Sequence, residues 1–253
     1  MNESNNQIIN QLSQRKSIRQ FTGQNVSNQD LELILKTAQR CPTSINGQQI
    51  SLVYTKDKEK IKQIAKICGG QMQVETADVF ITIVVDFNRT SFAVEQAGEI
   101  QQIDKSAEGV LVGAVDAGIM LNAIQISAES LGYGTTAIGA VRNDPEAMIE
   151  LLNLPTKTFP IVGTTIGFAT KEAKEAPLKP RVPLESFAFK DTYNDKKVKD
   201  GVLKYEQDMK KYREENNMDY LQSYCTQTAT YYKNIYFRKI TQNYENQGFA
   251  FKD

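Results

Sequence analysis

The 253-residue chain contains no histidine and no tryptophan. Without histidine there is no Ser-His-Asp triad, no Cys-His dyad and no histidine-ligated zinc site, and no metal is expected. If the chain is an enzyme, something other than imidazole moves its protons or electrons. Cysteine is scarce. Cys41, Cys68 and Cys225 are odd in number and lack paired short spacing, which excludes a disulfide framework. Reduced thiols agree with a cytoplasmic location. Neither sign of charge is in excess, since 30 Lys and Arg offset 30 Asp and Glu. That balance argues against a nucleic-acid or membrane-surface binder, because counterion-driven binding needs a basic excess. The longest nearly apolar stretch, 109–121, is short and carries Asp116, whereas a membrane span needs about 20 residues. Residues 1–14 are polar and lack the basic-then-apolar order of a signal peptide. Glycine-rich dinucleotide and phosphate-loop patterns are missing, and no repeat of solenoid length is present.

What is there reads as a globular chain, 40% apolar and 24% charged. Ile8, Ile9 and Leu12 have helical spacing within 5–14. Ser27 and Asp30 resemble a capping box for a helix over 28–40, with Leu31, Ile34, Leu35 and Ala38 on one face and Pro42 beyond its end. A strand is expected over 50–55 and a helix over 57–68, stopped by Gly69-Gly70. The β-branched run 79–87 reads as a strand buried on both faces. The longest helix spans 105–131. Glycine inside a helix costs about 1 kcal/mol against alanine, so Gly109, Gly113 and Gly118 beside Ala117 imply close approach of another element. That element is either part of the same subunit or, in the preferred reading, a helix across a dimer interface. A strand over 135–140, a helix from Asp144-Pro145 to Leu152 and a strand over 159–168 follow, giving about five strands in all. Residues 171–183 read as irregular and 195–217 as a charged helix. Six tyrosines (Tyr220, Tyr224, Tyr231, Tyr232, Tyr236 and Tyr244) then lie in a segment that buries little alone. It either wraps a second subunit or forms a partly ordered tail.

Three polar clusters stand out. Arg15-Lys16-Ser17-Ile18-Arg19 places three cations and a hydroxyl within five residues, and Arg15 and Ser17 can reach one phosphate. Lys179-Pro180-Arg181 holds two cations about a stiff proline. The loop 42–49 (Pro42-Thr43-Ser44-Ile45-Asn46-Gly47-Gln48-Gln49) offers hydroxyls and amides without charge, and Gln71 follows two glycines. Each has a plain reading as solvated surface or polar loop. Together they match the parts of FMN: a phosphate, polyol hydroxyls and a flat heteroaromatic ring. A flavin also carries hydride chemistry without histidine.

On RKSIRQF (15–21), PTSINGQQ (42–49), GGQ (69–71), ADVFITIVVDFNR (77–89), the 108–134 helix ending ESLGYG, AIGAVRND (137–144) and LKPR (178–181), the chain resembles the nitroreductase family, in its NADPH-dependent nitroreductase/flavin reductase subgroup. The resemblance implies an α+β fold with a mixed, mainly antiparallel central sheet flanked by helices. It implies a core over 1–190, and an extension over 191–253 that wraps the partner and is no independent domain. It further implies a homodimer with an FMN at each of two interface sites. NADPH or NADH would reduce FMN, which would reduce small flat acceptors (nitroaromatics, quinones or free flavin) in ping-pong order. Arg15, Lys16 and Ser17 would hold phosphate and ribityl groups, with Lys179 and Arg181 completing the phosphate grip. Arg19 would support the N1–O2 edge of the ring and Gln71 its pyrimidine edge. Ile138 and Gly139 would lie beside N5, and Thr43, Ser44, Asn46 and Gln48 would serve the cofactor from the 42–49 loop. Arg142 and Arg213 are the candidate NADPH contacts, although Arg142 has a local ion pair with Asp144 or Glu146 as its alternative. Cys41 reads as a small helix-end residue beside the loop. A flavin-binding or redox-sensing module without efficient turnover is the alternative function.

Overall fold

Four strands make one sheet in the order β1-β2-β4-β3, with every pairing antiparallel: β1 (Ile50–Thr55), β2 (Val79–Asp86), β3 (Gly134–Ile138) and β4 (Thr158–Gly167). The structure, a computed structural model, describes residues 6–252. The chain divides into two units, Met1–Glu175 with Phe237–Asp253, and Ala176–Tyr236. The first unit holds the sheet and eight helices that precede the division: α1 (Gln7–Ser13), α2 (Asn28–Ala38), α3 (Lys58–Ile67), α4 (Met72–Glu75), α5 (Phe87–Gln96), α6 (Ala107–Ser130), α7 (Pro145–Leu152) and α8 (Lys171–Glu175). The second unit holds α9 (Asp195–Glu215) and α10 (Tyr224–Tyr232), and α11 (Ile240–Asn246) belongs again to the first.

Alternation along β2 builds two cores. Val79, Ile81, Ile83 and Val85 face one layer, with Ile34 of α2 and Ala117, Met120 and Ile124 of α6. Phe80 faces the other, with Ile61 and Ile64 of α3, Ile138, and Met148 of α7. Both faces of β2 are thus buried, as its unbroken apolar run requires. Pro160 interrupts β4, where a proline cannot donate to the ladder. The register answers with a bulge that leaves Ile161 without a partner, since Ile83 pairs with Val162 and Val84 with Pro160.

The boundaries differ from expectation in four places. Phe87 opens α5 instead of closing β2, because Asp86 caps that helix by accepting the Arg89 N–H at 3.0 Å. Strand β3 ends at Ile138, and residues 139–142 form a 3-10 turn. Four strands are present among the described residues where about five were expected, and α8 lies in a stretch read as irregular. The glycines of α6 answer to the chain's own packing. A Cβ at Gly109 would collide with the Ile103 carbonyl and one at Gly113 would stand 2.9 Å from both Val85 methyls. Only Gly118 looks outward, with nothing within 4 Å, alongside the exposed Leu111 and Val115.

At 24 residues α6 is long and apolar enough to cross a membrane, contrary to the short stretch read from sequence, but it packs against the sheet with Ala117, Ile124 and Ala128 fully buried. Tyr244 also departs from expectation. It is core, with its ring 4.3 Å from Phe159 and 4.5 Å from Phe249. Backbone bonds fasten the returning segment, from Lys157 N–H to the Gln247 carbonyl and from Ala250 N–H to the Asp104 carbonyl. Tyr220, Tyr231, Tyr232 and Tyr236 stay exposed.

Candidate active site

The segment 15–22 runs beside the ends of β3 and β4. Ile18 N–H donates to the Thr135 carbonyl at 2.8 Å and Thr22 N–H to the Phe168 carbonyl at 2.8 Å. Gly134 makes this possible, since a Cβ there would stand 2.7 Å from Ile18 side-chain carbons. Arg15 turns onto α6. Its Nη2 donates to Gln125 Oε1 at 2.7 Å and its Nε lies 3.6 Å from Glu129 Oε1. Gln125 is itself fixed by donating to Thr164 Oγ1 at 3.1 Å. Burial raises the Glu129 carboxyl above its ordinary range, opposed by the Thr135 hydroxyl and by Arg15. Lys16 Nζ donates to the Lys174 carbonyl at 2.6 Å. Ser17 is half-buried, and Arg19 is exposed without a hydrogen-bond or ionic partner among the described residues.

Ile138 and Gly139 terminate the same strand that Ile18 flanks. Three residue steps separate Thr135 from Ile138, roughly 10 Å of extended chain. Asn143 Nδ2 donates to the Ile67 carbonyl at 3.0 Å, which ties the turn before Gly69-Gly70-Gln71 to the 139–142 turn. Gly69 and Gly70 both have left-handed φ, 79° and 74°, with nothing within 4 Å of where a Cβ would stand. Gln71 is half-buried and accepts from Gln73 Nε2 at 2.9 Å. The first unit thus carries an exposed cation at Arg19, an open glycine turn at 69–70 and the Gln71 amide, and the Asn143–Ile67 bond ties that turn to the end of β3.

The 42–49 loop is anchored elsewhere on α6. Ser44 N–H reaches Asp116, whereas Arg15 reaches Gln125, nine residues or roughly 14 Å further along the helix. Thr43 Oγ1 accepts the Gln48 N–H at 3.0 Å, and Asn46 and Gln48 are exposed. A groove of about 700 Å³ opens between this loop, α2 and β1, lined by Arg40, Thr43, Asn46, Gln48 and Arg89 among others.

Arg142 pairs with neither Asp144 nor Glu146, the local alternative to its expected cofactor contact. Its Nη1 donates to the carbonyl of Ile161, the bulge residue of β4, and its guanidinium lies 5.4 Å from the Phe237 ring centroid. Asp144 is bridged by Lys239 at 3.0 Å instead. In the second unit Arg213 is buried and donates to the Gln222 carbonyl at 3.1 Å, while Lys179 and Arg181 are exposed. Burial pushes the Cys41 thiol up, away from reactive thiolate. No three acidic or cysteine side chains among the described residues gather as a metal cage.

Of the residues that orient the candidates, sequence reasoning met Gln49 only as part of the 42–49 loop and Asp116 only as a charge in the apolar stretch, and it missed Gln125 and Glu129. A signal existed, because Asp116 and Gln125 interrupt the apolar pattern of α6 at positions that prove buried.

The nitroreductase family matches residues 12–168 and its C-terminal domain residues 179–252. The FMN reductase (NAD(P)H) of Bacillus subtilis (strain 168) is 39% identical over 248 residues, 96% of this chain and 98% of its own. The structure of B. megaterium NfrA2 superposes with TM-score 0.93 at 34% identity, covering 98% of this chain and 100% of the other. The NADPH:FMN oxidoreductase from Vibrio harveyi, complexed with NAD+, gives TM-score 0.85 at 25% identity, covering 97% and 99%. Fold, ordered motifs and full-length similarity agree, and the chain belongs to the nitroreductase family.

Proposed function

We propose that this protein is an FMN-dependent NAD(P)H oxidoreductase, acting in the cytoplasm as a homodimer on small flat acceptors such as nitroaromatics, quinones or free flavin. What carries the reading is one feature set of the first unit: Arg19, exposed and without an acidic partner among the described residues, and the open Gly69-Gly70 turn that the Asn143–Ile67 bond ties to the Ile138-Gly139 backbone. A bare left-handed glycine pair lets backbone N–H groups approach a flat ring, and an unneutralised cation suits a ring edge that gains negative charge. FMN, when bound, supplies the hydride chemistry that no side chain of this chain offers.

Arg15, Lys16 and Ser17 are proposed to bind phosphate and ribityl oxygens. Gln125 and Glu129 hold the Arg15 guanidinium, which has further N–H donors to give. Lys179 and Arg181 are proposed as phosphate partners on the strength of their exposed charge, and Gln71 as a donor to the ring. The outward face of α6, with Leu111, Val115 and Gly118, supports a second copy of the chain as its cover. That copy would bring Thr43, Ser44, Asn46 and Gln48 to the flavin. Arg142 and Arg213 both spend donors on backbone carbonyls, so no dedicated clamp for the 2′-phosphate of NADPH is assigned, and either nicotinamide donor is expected to serve.

The test is the visible spectrum of the purified protein, followed by anaerobic addition of NADPH and of NADH in separate cuvettes. The proposal expects a flavin band that collapses on mixing. A band that persists with both donors would favour a flavin-binding or redox-sensing module. No band after adding FMN would overturn the site.

A further inference from the structure

Asp116 lies in the middle of the apolar helix α6 and is 4% exposed. Among the described residues no lysine or arginine pairs with it. Both carboxylate oxygens instead accept the Ser44 N–H, at 3.3 and 3.2 Å, and Oδ2 also accepts from Gln49 Nε2 at 2.5 Å. Gln49 is equally buried, and its Oε1 sits against Gly47, where a Cβ would collide with it. Gly47 is thus a glycine for space, since its φ is an ordinary −71°.

Between these anchors the backbone is left-handed at three non-glycine residues: Ile45 (φ 50°), Asn46 (φ 56°) and Gln48 (φ 53°). For a β-branched residue that conformation is strained, and Ile45, 97% exposed, recovers nothing by burial in its own chain. Such strain persists only where the surroundings over-determine it. Here they do so through a carboxylate with no counter-cation, itself a costly group to bury, satisfied by the loop it holds.

We propose that Asp116 is a positioning residue. Through Ser44 and Gln49 it holds loop 43–48 in the shape that presents Thr43, Ser44 and Asn46 to the flavin of the second copy. The proposal rests on the flavin-reductase reading above.

Two variants test it in the dimeric holoprotein. Gln49→Glu sets a second carboxylate against Asp116. Combining it with Asp116→Asn exchanges the two groups, so that an amide again faces a carboxylate while an oxygen remains for the Ser44 N–H. Three quantities are read: the FMN dissociation constant, the position of the bound-flavin absorption band, and hydrogen exchange at the Ser44 amide. Losing a hydrogen bond to a charged group is worth roughly a factor of ten or more. Gln49→Glu is therefore expected to weaken FMN binding and speed Ser44 exchange about tenfold or more, with the flavin band moved. The exchanged pair is expected to restore all three to within about threefold. A role in stability alone would lower the melting temperature and leave the flavin band and FMN affinity in place. The proposal fails if the folded single variant binds FMN with unchanged affinity and spectrum, or if the folded exchanged pair does not recover. Should Gln49→Glu not fold, Gln49→Ala takes its place: weaker FMN binding with a moved band supports the proposal, and unchanged binding and spectrum overturn it. If the unsubstituted protein binds no FMN while Ser44 exchange follows the expected order, the flavin reading has failed and the positioning role with it. If FMN binds and Ser44 exchange does not respond, the positioning proposal alone is lost.

Discussion

Alkaline titration isolates Tyr244, the residue that seals the returning C-terminal segment onto the core. Burial pushes its phenol up to about 12, opposed only by the Arg142 guanidinium. In the unfolded chain the phenol ionises near its ordinary value of about 10. The folded state therefore keeps the proton that the unfolded state gives up. The tyrosine's contribution is whole below pH about 10 and is lost progressively as pH rises through about 12. Two pK units correspond to roughly 3 kcal/mol in total, of which about 1.4 kcal/mol is gone by pH 11. Tyr244→Phe keeps the ring between Phe159 and Phe249 and cannot ionise. Urea unfolding followed by far-UV circular dichroism, at pH 8 and at pH 11, should show the unsubstituted protein losing about 1.4 kcal/mol more than Tyr244→Phe. Cys68, also pushed up to about 12 by burial, titrates in both proteins and cancels. Tyr244→Ala at neutral pH should cost about 3–5 kcal/mol, as large-to-small changes at stacked core aromatics do. Parallel losses in Tyr244→Phe and the unsubstituted protein, together with a near-neutral Tyr244→Ala, would refute the buried placement and the docking of residues 237–252.

Three other outcomes are expected. Arg19→Ala should leave FMN bound but slow its anaerobic reduction by NADPH roughly tenfold or more in stopped flow, because a preorganised charge at the site of developing negative charge is removed. Leu111→Lys with Val115→Glu should leave a monomer in sedimentation equilibrium where the proposed homodimer is expected of the unsubstituted protein, since both side chains are exposed on the outward face of α6. Gly113→Ala should lower stability by about 1–3 kcal/mol in urea unfolding, because the added methyl meets both Val85 methyls in a packed core.

Local pattern carried most of the fold. The run of β-branched residues in β2 and the amphipathic spacing of α2 and α3 fix those elements within a residue or two, because each encodes which faces will be buried. Reading failed where the decisive partner is distant in sequence. Phe87 is the local exception, looking like one more strand residue although the adjacent Asp86 caps α5. Gly113 promises a helical neighbour and meets a strand. Tyr244 resembles its five tyrosine neighbours, yet its partner Phe159 lies 85 positions earlier. The site divides in the same way. Thr43, Ser44 and Asn46 are legible as a polar loop on composition. Asp116 reads only as an interruption of apolar sequence, because its partners lie 72 and 67 residues away.

The return of the chain at Phe237 has a consequence for biosynthesis. Val79, Ile81, Phe159 and Ile166 share a core with Phe249, but Phe249 is synthesised about 80 residues after Ile166, a delay of roughly 4–16 s at ordinary elongation rates. During that interval the nascent chain carries a nearly complete sheet with one flank uncovered, and the Asp104 and Lys105 carbonyls still await the Ala250 and Lys252 amides. Ribosome-bound chains stalled before residue 244 should therefore remain open to protease and to chaperones. The arrival of residues 244–252, rather than the formation of the sheet, sets the moment at which this core becomes resistant.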